Sequence, residues 1–329
     1  MYKSKLNVSE TQQAIQALKD SFSLVMNHQL NLIKVPGPLF INCSDNLNDR
    51  LSDNVDGVKF QPSSVKEEQE IVQSLAKWKR VALKKYGYPL HSGISVDMRA
   101  IRRTEEVDAI HSLLVDQWDW EYIIDEKDYN TDMIKKVVNK IFYAMKSTED
   151  YINISYRELE EKLPTEVFYI TSKELYDMYP GKSAKEREYL ITKEHKCVFI
   201  LQIGGKIEGT ANEVHDYRAK DYDNLMLNGD LLVYHKVNDI ALELMSMGIR
   251  VDSKALIEQK ELDVSKIDTF SDYYQMIIRN ELPLTIGGGV GQSRLAMYLL
   301  EKAHIGEVQV SSWDADYVAK LEQENIHLL

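Results

Sequence analysis

Thr285-Ile-Gly-Gly-Gly-Val-Gly-Gln-Ser-Arg-Leu295 places four glycines within five positions and an arginine, Arg294, shortly behind them. An apolar run resumes at Leu295, so the pattern predicts a strand, a glycine turn and then a helix. Because glycine has no Cβ, the backbone at Gly289 and Gly291 can approach a flat or phosphorylated ligand closely. We expect Arg294 to lie in the first turn of the helix, beside that surface. For this stretch taken alone, a tight turn without function remains the alternative.

Two segments upstream are expected to pair as an antiparallel hairpin. Residues 95–102 and 116–121 both alternate in the way that a half-buried strand does. Successive strand side chains point to opposite faces, so the second segment has a polar face and an aromatic face: Gln117, Asp119 and Glu121, and Trp118 and Trp120. Arg102 ends the first segment, opposite the polar row. The alternative is a solvated polar face over packed aromatic residues, with no function.

Two acidic residues stand in apolar segments that read as strands. Asp230 lies within residues 227–234 and Glu243 within residues 241–252. A carboxylate in such a strand costs desolvation free energy unless a cation or a donor meets it. Mg²⁺ that bridges nucleotide phosphates would do so, because it takes one or two carboxylates together with phosphate oxygens. Pairing with an arginine such as Arg250 is the alternative, and it implies no function.

In this order, these elements resemble the catalytic core of class II aminoacyl-tRNA synthetases. That family has a long helix and a proline-ended strand as motif 1, a hairpin with an arginine as motif 2, and a glycine-rich stretch with an arginine as motif 3. Residues 8–30 predict one amphipathic helix with Ser9 as N-cap, and Pro38 takes the motif 1 position. One face of that helix is expected to be apolar: Ile15, Leu18, Phe22, Val25 and Met26.

The match is closer to one family, the ammonia-dependent asparagine synthetases, which are aspartate–ammonia ligases of the A type. Six strings carry this resemblance, at residues 43–47, 73–80, 115–121, 227–230, 246–252 and 286–294. Ser74-Leu-Ala-Lys-Trp-Lys-Arg80 and Asp116-Gln-Trp-Asp-Trp-Glu121 are specific to it. The resemblance implies an α/β (α+β) fold with a class II synthetase-like core, in which helices flank a central, mostly antiparallel sheet. It further implies a single catalytic domain, residues 1–329, with a helical insertion at about 129–195.

The implied reaction has two steps. The side-chain carboxylate of L-aspartate attacks the α-phosphorus of ATP, which gives a β-aspartyl adenylate and pyrophosphate. Ammonia then attacks the activated carbonyl and releases L-asparagine and AMP. An aspartyl- or asparaginyl-tRNA synthetase-like paralogue, or a non-catalytic regulator, is the alternative. The first would require an anticodon domain, which we do not expect here, and the second would tend to lose Arg102, Arg294 or the metal acids.

The resemblance assigns roles to individual residues. For aspartate it implies a polar and charged site: Ser74, Lys79, Gln117, Asp119, Asp221, Ser246 and Arg250. For ATP it implies a second set: Arg102, His111, Arg218, Asp230, Glu243, Gly289, Gly291 and Arg294. Asp230 and Glu243 would hold Mg²⁺, and Arg102 would bridge the two reactants, because a guanidinium holds anionic groups with parallel donors. Without the resemblance, Lys79 is expected to face water.

Asp45 is expected to receive ammonium and to help remove its proton before the attack. With Arg102 and Gln117, it completes the predicted catalytic set. An ionised carboxylate near the acyl carbon would concentrate ammonium there. The alternative is a turn former, which is the commonest use of an Asp-Asn pair. Free ammonia is the expected nitrogen donor, because residue 2 is Tyr and a glutaminase requires a nucleophilic cysteine.

Composition agrees with a stand-alone ligase. The 329 residues carry 52 acids and 40 bases, a formal net charge of −12, which argues against nucleic acid as the main ligand. Two cysteines, Cys43 and Cys197, form no disulfide framework and predict a cytoplasmic location. No apolar stretch reaches the length of about 20 residues that a membrane-spanning helix requires. A homodimer is expected by resemblance, because class II cores commonly pair through motif 1.

Three positions depart from the synthetase motifs and make the adenine contacts the least secure part of the resemblance. Thr104 replaces the acid that follows the motif 2 arginine, and Val115 replaces a phenylalanine that stacks on adenine in many class II enzymes. Ser293 stands where an acid commonly precedes the motif 3 arginine.

Overall fold

The computed structural model describes residues 2–50 and 57–329, and in them a single large sheet dominates the fold. Its strands are β1 (Leu32–Lys34), β5 (Gly93–Ile101), β6 (Leu114–Ile123), β7 (Phe168–Thr171), β8 (Cys197–Leu201), β9 (Asp223–His235), β10 (Ile240–Arg250) and β11 (Thr285–Gly291). The remaining strands are β2 (Phe40–Asn42), β3 (Lys59–Phe60) and β4 (Gln69–Ile71). They form a second, three-stranded sheet with the order β2-β4-β3.

The large sheet has eight strands within the described residues, in the order β1-β5-β6-β11-β10-β9-β8-β7. The two outermost pairs, β1 with β5 and β7 with β8, are parallel, and the pairs between them are antiparallel. The helices are α1 (Val8–Leu30), α2 (Ala76–Lys85), α3 (Thr131–Ser155), α4 (Ser172–Met178), α5 (Ala184–His195), α6 (Ser253–Lys260), α7 (Asp272–Ile278), α8 (Gln292–Leu299) and α9 (Ala315–Gln323). The predicted fold class, a mostly antiparallel sheet flanked by helices, is confirmed.

The predicted hairpin is the pair β5 and β6. Register in the sheet aligns Asp119 of β6 with Gly289 of β11, Gly289 with Ser246 of β10, and Ser246 with Asp230 of β9. Paired residues in an antiparallel sheet point to the same face. These four residues therefore form one row across four strands. Because Gly289 has no side chain, the row has a gap between Asp119 and Ser246.

The glycines of the motif 3 stretch lie in β11 itself, so the predicted glycine turn is wrong. A Cβ on Gly287 would lie 2.0 Å from Oε2 of Glu121, and one on Gly289 would lie 2.3 Å from Oε1 of Gln117. These glycines are needed because polar side chains of β6 lie across the strand. The chain passes from β11 directly into α8, which places Arg294 in the first turn, as predicted.

The opposite face of the large sheet carries the main core. Trp118 and Trp120 are buried there, and the ring of Trp118 lies 4.4 Å from that of Phe22 in α1, measured between centroids. Helix α1 has the predicted bounds, but its N-cap is Asn7, which forms a capping box with Glu10, so the prediction of Ser9 is wrong. The side chain of Asn7, two residues before Ser9, accepts from the amide of Glu10 in the first turn.

The segment predicted as a helical insertion contains α3, α4 and α5, and it also contributes a strand. β7 pairs with β8 at the edge of the large sheet, and α3 packs along α1. The segment is thus attached to the sheet and to the first helix of the chain. None of the described helices is long and apolar enough to cross a membrane.

Candidate active site

A cavity of about 410 Å³ opens over the polar face of the sheet, between the β5–β6 hairpin and the start of α8. Most of the residues predicted for the aspartate and ATP sites line it: Ser74, Arg102, His111, Gln117, Asp119, Arg218, Glu243, Ser246, Arg250, Gly289, Gly291 and Arg294. The fold brings them together from seven separate segments of the chain, from the loop before α2 to α8. This is the concave, polar site that a small charged substrate and a nucleotide require.

The residues beneath this cavity, here called the floor, are Lys79, Asp119, Glu121, Asp223 and Arg250. Lys79 is the lysine among them. Its side chain is 0 % exposed, so the prediction that it would face water without the family resemblance does not hold. Nζ donates to the carboxylate of Asp119 and, at 2.9 Å, to the carbonyl of Trp120, and it lies 3.7 Å from Oε2 of Glu121. Burial raises the pKa of Asp119 above its usual range, although Lys79 beside it acts in the opposite direction.

Arg250 is held in the same floor by two acids. Nη2 lies 2.8 Å and Nε 2.9 Å from the Glu121 carboxylate, and Nη1 lies 2.5 Å from Asp223. Burial alone would raise the pKa of Glu121, yet Arg250 and Lys79 hold it below its usual range. Burial opposes the charge on Arg250, but Glu121 and Asp223 raise its pKa well above normal. Arg250 therefore lines the cavity as a fully ionised and largely paired group.

The opposite wall carries a pair of arginines with few acidic partners. Arg102 follows β5, and its contact with Glu105 is long, at 3.8 Å. Nε of Arg102 is buried and has no hydrogen-bond partner among the residues that the structure describes. Burial lowers the pKa of Arg102, Glu105 raises it, and the nearby charge of Arg294 lowers it further. Two neighbouring like charges, one of them with an unused buried donor, indicate a site for an anionic ligand.

Arg294 is fixed on this wall by Glu243. Its Nη1 donates to the backbone carbonyl of Glu243 at 3.1 Å and lies 3.8 Å from the Glu243 carboxylate. The first turn of α8 places this guanidinium beside Gly291, whose ideal Cβ would lie 3.3 Å from Cβ of Arg294. The predicted neighbourhood of Arg294 and the glycine stretch is therefore present.

Asp230 and Glu243 lie close enough to influence each other. Burial raises the pKa of Asp230 to about 7, Arg218 opposes the rise, and the charge of Glu243 adds to it. The guanidinium of Arg218 donates to Asp230 and to the hydroxyl of Ser246. Asp230 is thus paired with an arginine, which is the alternative to a metal site, although the partner is Arg218. Its carboxylate and that of Glu243 are also the type of oxygen ligand that Mg²⁺ takes.

A hydrogen-bonded group behind the arginine wall was missed in the sequence. Ser293 donates through its hydroxyl to Asp116 at 2.8 Å and through its amide at 3.0 Å, and Gln309 donates to the Ser293 hydroxyl at 3.0 Å. Lys19 of α1 lies 3.3 Å from the same carboxylate. In the sequence, Ser293 stands where an acid commonly precedes the motif 3 arginine. In the structure, an acid from β6, Asp116, accepts hydrogen bonds from this serine.

Some predicted residues lie outside the main cavity. Asp221 pairs with Lys77 at 2.6 Å and lines a second cavity of about 660 Å³, together with Cys43 and Asn46. Asp45 is exposed in a 3₁₀ turn, Cys43–Asp45, next to those residues. Asp230 and Lys79 lie under the wall and the floor of the main cavity, not on its surface.

His111 lines the main cavity but is already bonded within its own loop. Its Nδ1 lies 2.9 Å from the carboxylate of Asp108, and two backbone amides of the loop, those of Ile110 and His111, donate to the same carboxylate. Burial would raise the pKa of Asp108, but these contacts with His111 and the amides lower it. This imidazole therefore also shapes the loop between β5 and β6.

Comparison with known proteins identifies relatives along nearly the whole chain. A family model described as aspartate–ammonia ligase matches residues 9–325. The aspartate–ammonia ligase of Clostridium perfringens strain SM101 is 47 % identical over 100 % of this chain and 97 % of its own length. That of Clostridium tetani is 48 % identical over 100 % of this chain and 96 % of its own length.

Solved structures agree at the level of the fold. Asparaginyl-tRNA synthetase from Pyrococcus horikoshii, in complex with asparaginyl-adenylate, superposes with a TM-score of 0.64 at 14 % identity, over 91 % of this chain and 68 % of that one. The Entamoeba histolytica asparaginyl-tRNA synthetase gives 0.60 at 14 % identity, over 92 % and 66 %. The full-length match in sequence, together with the cavity described above, shows that this chain belongs to the aspartate–ammonia ligase family.

Proposed function

We propose that this protein ligates ammonia to the side-chain carboxylate of L-aspartate at the expense of ATP, through a β-aspartyl adenylate. A carboxylate oxygen attacks the α-phosphorus and pyrophosphate leaves. The nitrogen of ammonia then attacks the acyl carbon, AMP leaves, and one proton is lost to give L-asparagine. The observation that carries this proposal is a cavity with a partly unpaired arginine wall facing a lysine–acid floor, in a chain that belongs to this family.

The floor supplies the aspartate site. Its charges are fixed before the substrate arrives, so the ammonium and carboxylate of aspartate meet groups that need no reorganisation. Asp119 and Gln117 are suited to the substrate ammonium and Arg250 to a carboxylate, and the charge of Lys79 supports that carboxylate from beneath the cavity. Ser74 and Ser246 add hydroxyl groups at the edge, and Asp221 contributes from the side of the second cavity. Analogues that lack one polar group would leave a buried partner unpaired, which discriminates strongly.

The arginine wall supplies the ATP site. The unused Nε of Arg102 is available to a phosphate or carboxylate oxygen, so Arg102 can hold both reacting anions together. Arg294 meets adenine or the γ-phosphate, while His111 and Arg218 contact phosphate oxygens. Gly291 leaves space over the end of β11 for the nucleotide, and Gly289 makes room for the Gln117 side chain beside it. Repulsion between Arg102 and Arg294 is relieved when the anion binds, which favours ATP in this position.

Asp230 and Glu243 would hold Mg²⁺. When bound, the ion would neutralise the charge that develops on the leaving pyrophosphate. Arg218 bonds to Asp230 in this structure and orients its carboxylate. We propose that Arg218 contacts a phosphate of ATP when the nucleotide is bound.

Asp45 is proposed to collect ammonium from solution. It is exposed, beside residues that line the second cavity, and an ionised carboxylate there raises the local concentration of a cation. Asp45→Asn is expected to raise the KM for ammonium at least several-fold, with the KM for ATP unchanged. An unaltered dependence on ammonium would remove Asp45 from the mechanism.

The remaining features of the proposal concern the whole chain. We propose one catalytic domain, since β7 of the inserted segment belongs to the large sheet, and a homodimer without nucleic acid as a partner. Cys43 and Cys197 are free, in keeping with a reducing, cytoplasmic environment. Sedimentation equilibrium tests the dimer directly.

Product analysis tests the activity. The protein is incubated with aspartate, Mg-ATP and either ammonium or glutamine, without tRNA. Asparagine, AMP and pyrophosphate are expected with ammonium, and little asparagine with glutamine. Pyrophosphate exchange without asparagine would indicate an aminoacyl adenylate and a tRNA-linked function instead. Absence of ATP turnover would indicate a non-catalytic regulator.

A further inference from the structure

Asp49 is a fully buried carboxylate that the proposed reaction does not use. It lies four residues beyond Asp45 and is 0 % exposed. One oxygen accepts from the backbone amide of Ala76 at 2.6 Å, the other accepts from that of Lys77 at 3.3 Å, and the hydroxyl of Ser74 also bonds to it. A buried ionisable group with this many donors serves a defined purpose or costs stability.

The helix that Asp49 contacts has no cap of its own. Helix α2 begins at Ala76, and the residue in the cap position, Leu75, makes no side-chain hydrogen bond to the first amides. The first amides of a helix need acceptors from elsewhere when they are buried. Asp49 supplies them across 27 residues of sequence, so it acts as a cap contributed by a distant segment.

Asn48 strengthens the same attachment without a charge. Its Oδ1 accepts from the amide of Gln73 at 2.9 Å, and its Nδ2 donates to the carbonyl of Ile71 at 3.1 Å. Residues 48–49 thus hold the backbone from the end of β4 to the start of α2. The segment that contains Asp45 is fixed to this stretch by hydrogen bonds, not by apolar packing alone.

The start of α2 carries groups of the candidate site. Ser74 lies just before the helix and lines the main cavity, and Lys79 lies within its first turns and bonds to Asp119. Lys77 pairs with Asp221 on the other side. A displacement of this helix end would therefore move two proposed substrate contacts, Ser74 and Lys79, and a shift of about 1 Å costs on the order of 10²-fold in rate.

We propose that Asp49 is a positioning residue: it seats the start of α2 on the segment that carries Asp45, so that the aspartate site and the ammonium-collecting residue keep one relative position. This inference rests on the proposed function and deepens it. Asp49 touches no substrate and acts through Ser74 and Lys79.

The ionised form of Asp49 is the one that accepts both amides. Burial raises its pKa to about 6, Lys77 opposes the rise and Asp221 adds to it, and the tyrosines at 222 and 273 also face this carboxylate. Because this value lies above that of an unfolded aspartate, protonation favours the folded state. The contribution of Asp49 to stability is therefore fully present below about pH 4 and is lost as the pH rises to about 6. As the pH falls through 6, the two amides lose their ionised acceptor, which weakens the seat of α2.

The test compares Asp49→Asn with Asp314→Asn in the full-length protein. Asp314 caps α9 by accepting from two backbone amides, those of Asp316 and Tyr317, and it is not among the residues that line the cavity. Asp49→Asn is expected to raise the KM for aspartate about 10-fold and to leave the KM for ATP within about 2-fold. We expect the wild-type kcat/KM for aspartate to show an inflection near pH 6 and Asp49→Asn to lack it. Asp314→Asn is expected to change neither quantity.

Unchanged KM for aspartate and a retained inflection in Asp49→Asn would overturn the inference, as would equal losses for aspartate and ATP. If that variant does not fold, Asn48→Ala replaces it. That variant is expected to raise the KM for aspartate and to keep the inflection, and an unchanged KM would overturn the inference. If the wild-type protein makes no asparagine, the proposed function has failed. The affinity of each variant for aspartate, measured by calorimetry, then still tests the role of Asp49.

Discussion

The floor and the wall of the cavity differ in how their charges are satisfied. On the floor, Lys79 and Arg250 are buried and bonded to acids of neighbouring strands. On the wall, Arg102 and Arg294 are half-buried, and their ion pairs are long, at 3.8 Å each. The two cations of the floor are paired without a ligand, and Oδ2 of Asp119 is left without a hydrogen-bond partner among the described residues. The wall has donors and positive charge in excess.

The difference follows from the cost of burying charge. A charge removed from water must be paired within the protein, so the floor could form only as a network that the strands assemble. A half-exposed arginine retains part of its hydration, so its charge does not require a partner within the protein and remains available to a ligand. We infer that the floor contributes to folding and that the wall contributes mainly to catalysis.

The largest expected effect is on the floor. Arg250→Ala would leave Glu121 and Asp223 buried without their cation and should lower the free energy of unfolding by about 3–5 kcal/mol. Urea denaturation measures this. Arg279→Ala is the matched control, because Arg279 pairs with Asp268 at 3.2 Å on the exposed surface and such a pair contributes about 0–1 kcal/mol. Similar losses in both variants would contradict the distinction between floor and wall.

The wall should show the reverse behaviour. Arg102→Ala is expected to lower kcat about 10²–10³-fold, because it removes a positioned donor from the reacting anions, while the denaturation midpoint stays near that of the wild type. Arg103→Ala, one residue along and exposed, serves as the control and should retain activity. A large loss of stability in Arg102→Ala would place Arg102 in the folding network instead.

The glycines of β11 test whether the floor needs the space above that strand. Gly287→Ala would put Cβ 2.0 Å from Oε2 of Glu121 and 2.6 Å from Nη2 of Arg250. We expect a loss of about 1–3 kcal/mol in the free energy of unfolding, as for other overpacked interiors. Gly291→Ala, whose Cβ would meet Cβ of Arg294 at 3.3 Å, should cost less. If thermal denaturation gives the opposite order, the clash with Glu121 is not what requires glycine.

The smallest effect is expected behind the wall. Ser293→Ala removes the hydroxyl that bonds to Asp116 and receives Gln309, and should cost about 1 kcal/mol in the free energy of unfolding. The amide of residue 293 and Lys19 still hold Asp116, so activity should fall only slightly. Ser311→Ala, outside this group, is the control in both the denaturation and the activity assay. A loss as large as that in Arg250→Ala would mean that Asp116 is part of the folding network.

Much of the site could be predicted because it follows from local pattern. The period of two in β6 sorted Gln117, Asp119 and Glu121 from the tryptophans, and the apolar run after Gly291 placed Arg294 at the start of a helix. Family resemblance supplied roles for these side chains. Neither source could show that Arg250 is shared by Glu121 and Asp223, because that depends on which strands become neighbours.

The sequence by itself determined the order of the three motifs, the polar face of β6, the helix that carries Arg294 and the family. Only the tertiary structure decided that the glycines make room for side chains of β6, that Asp116 stands behind Ser293, and that Asp49 caps a helix 27 residues away. The physical reason is that these contacts depend on strand register and on burial. Both are fixed by pairings between residues far apart in the chain, which no local pattern encodes.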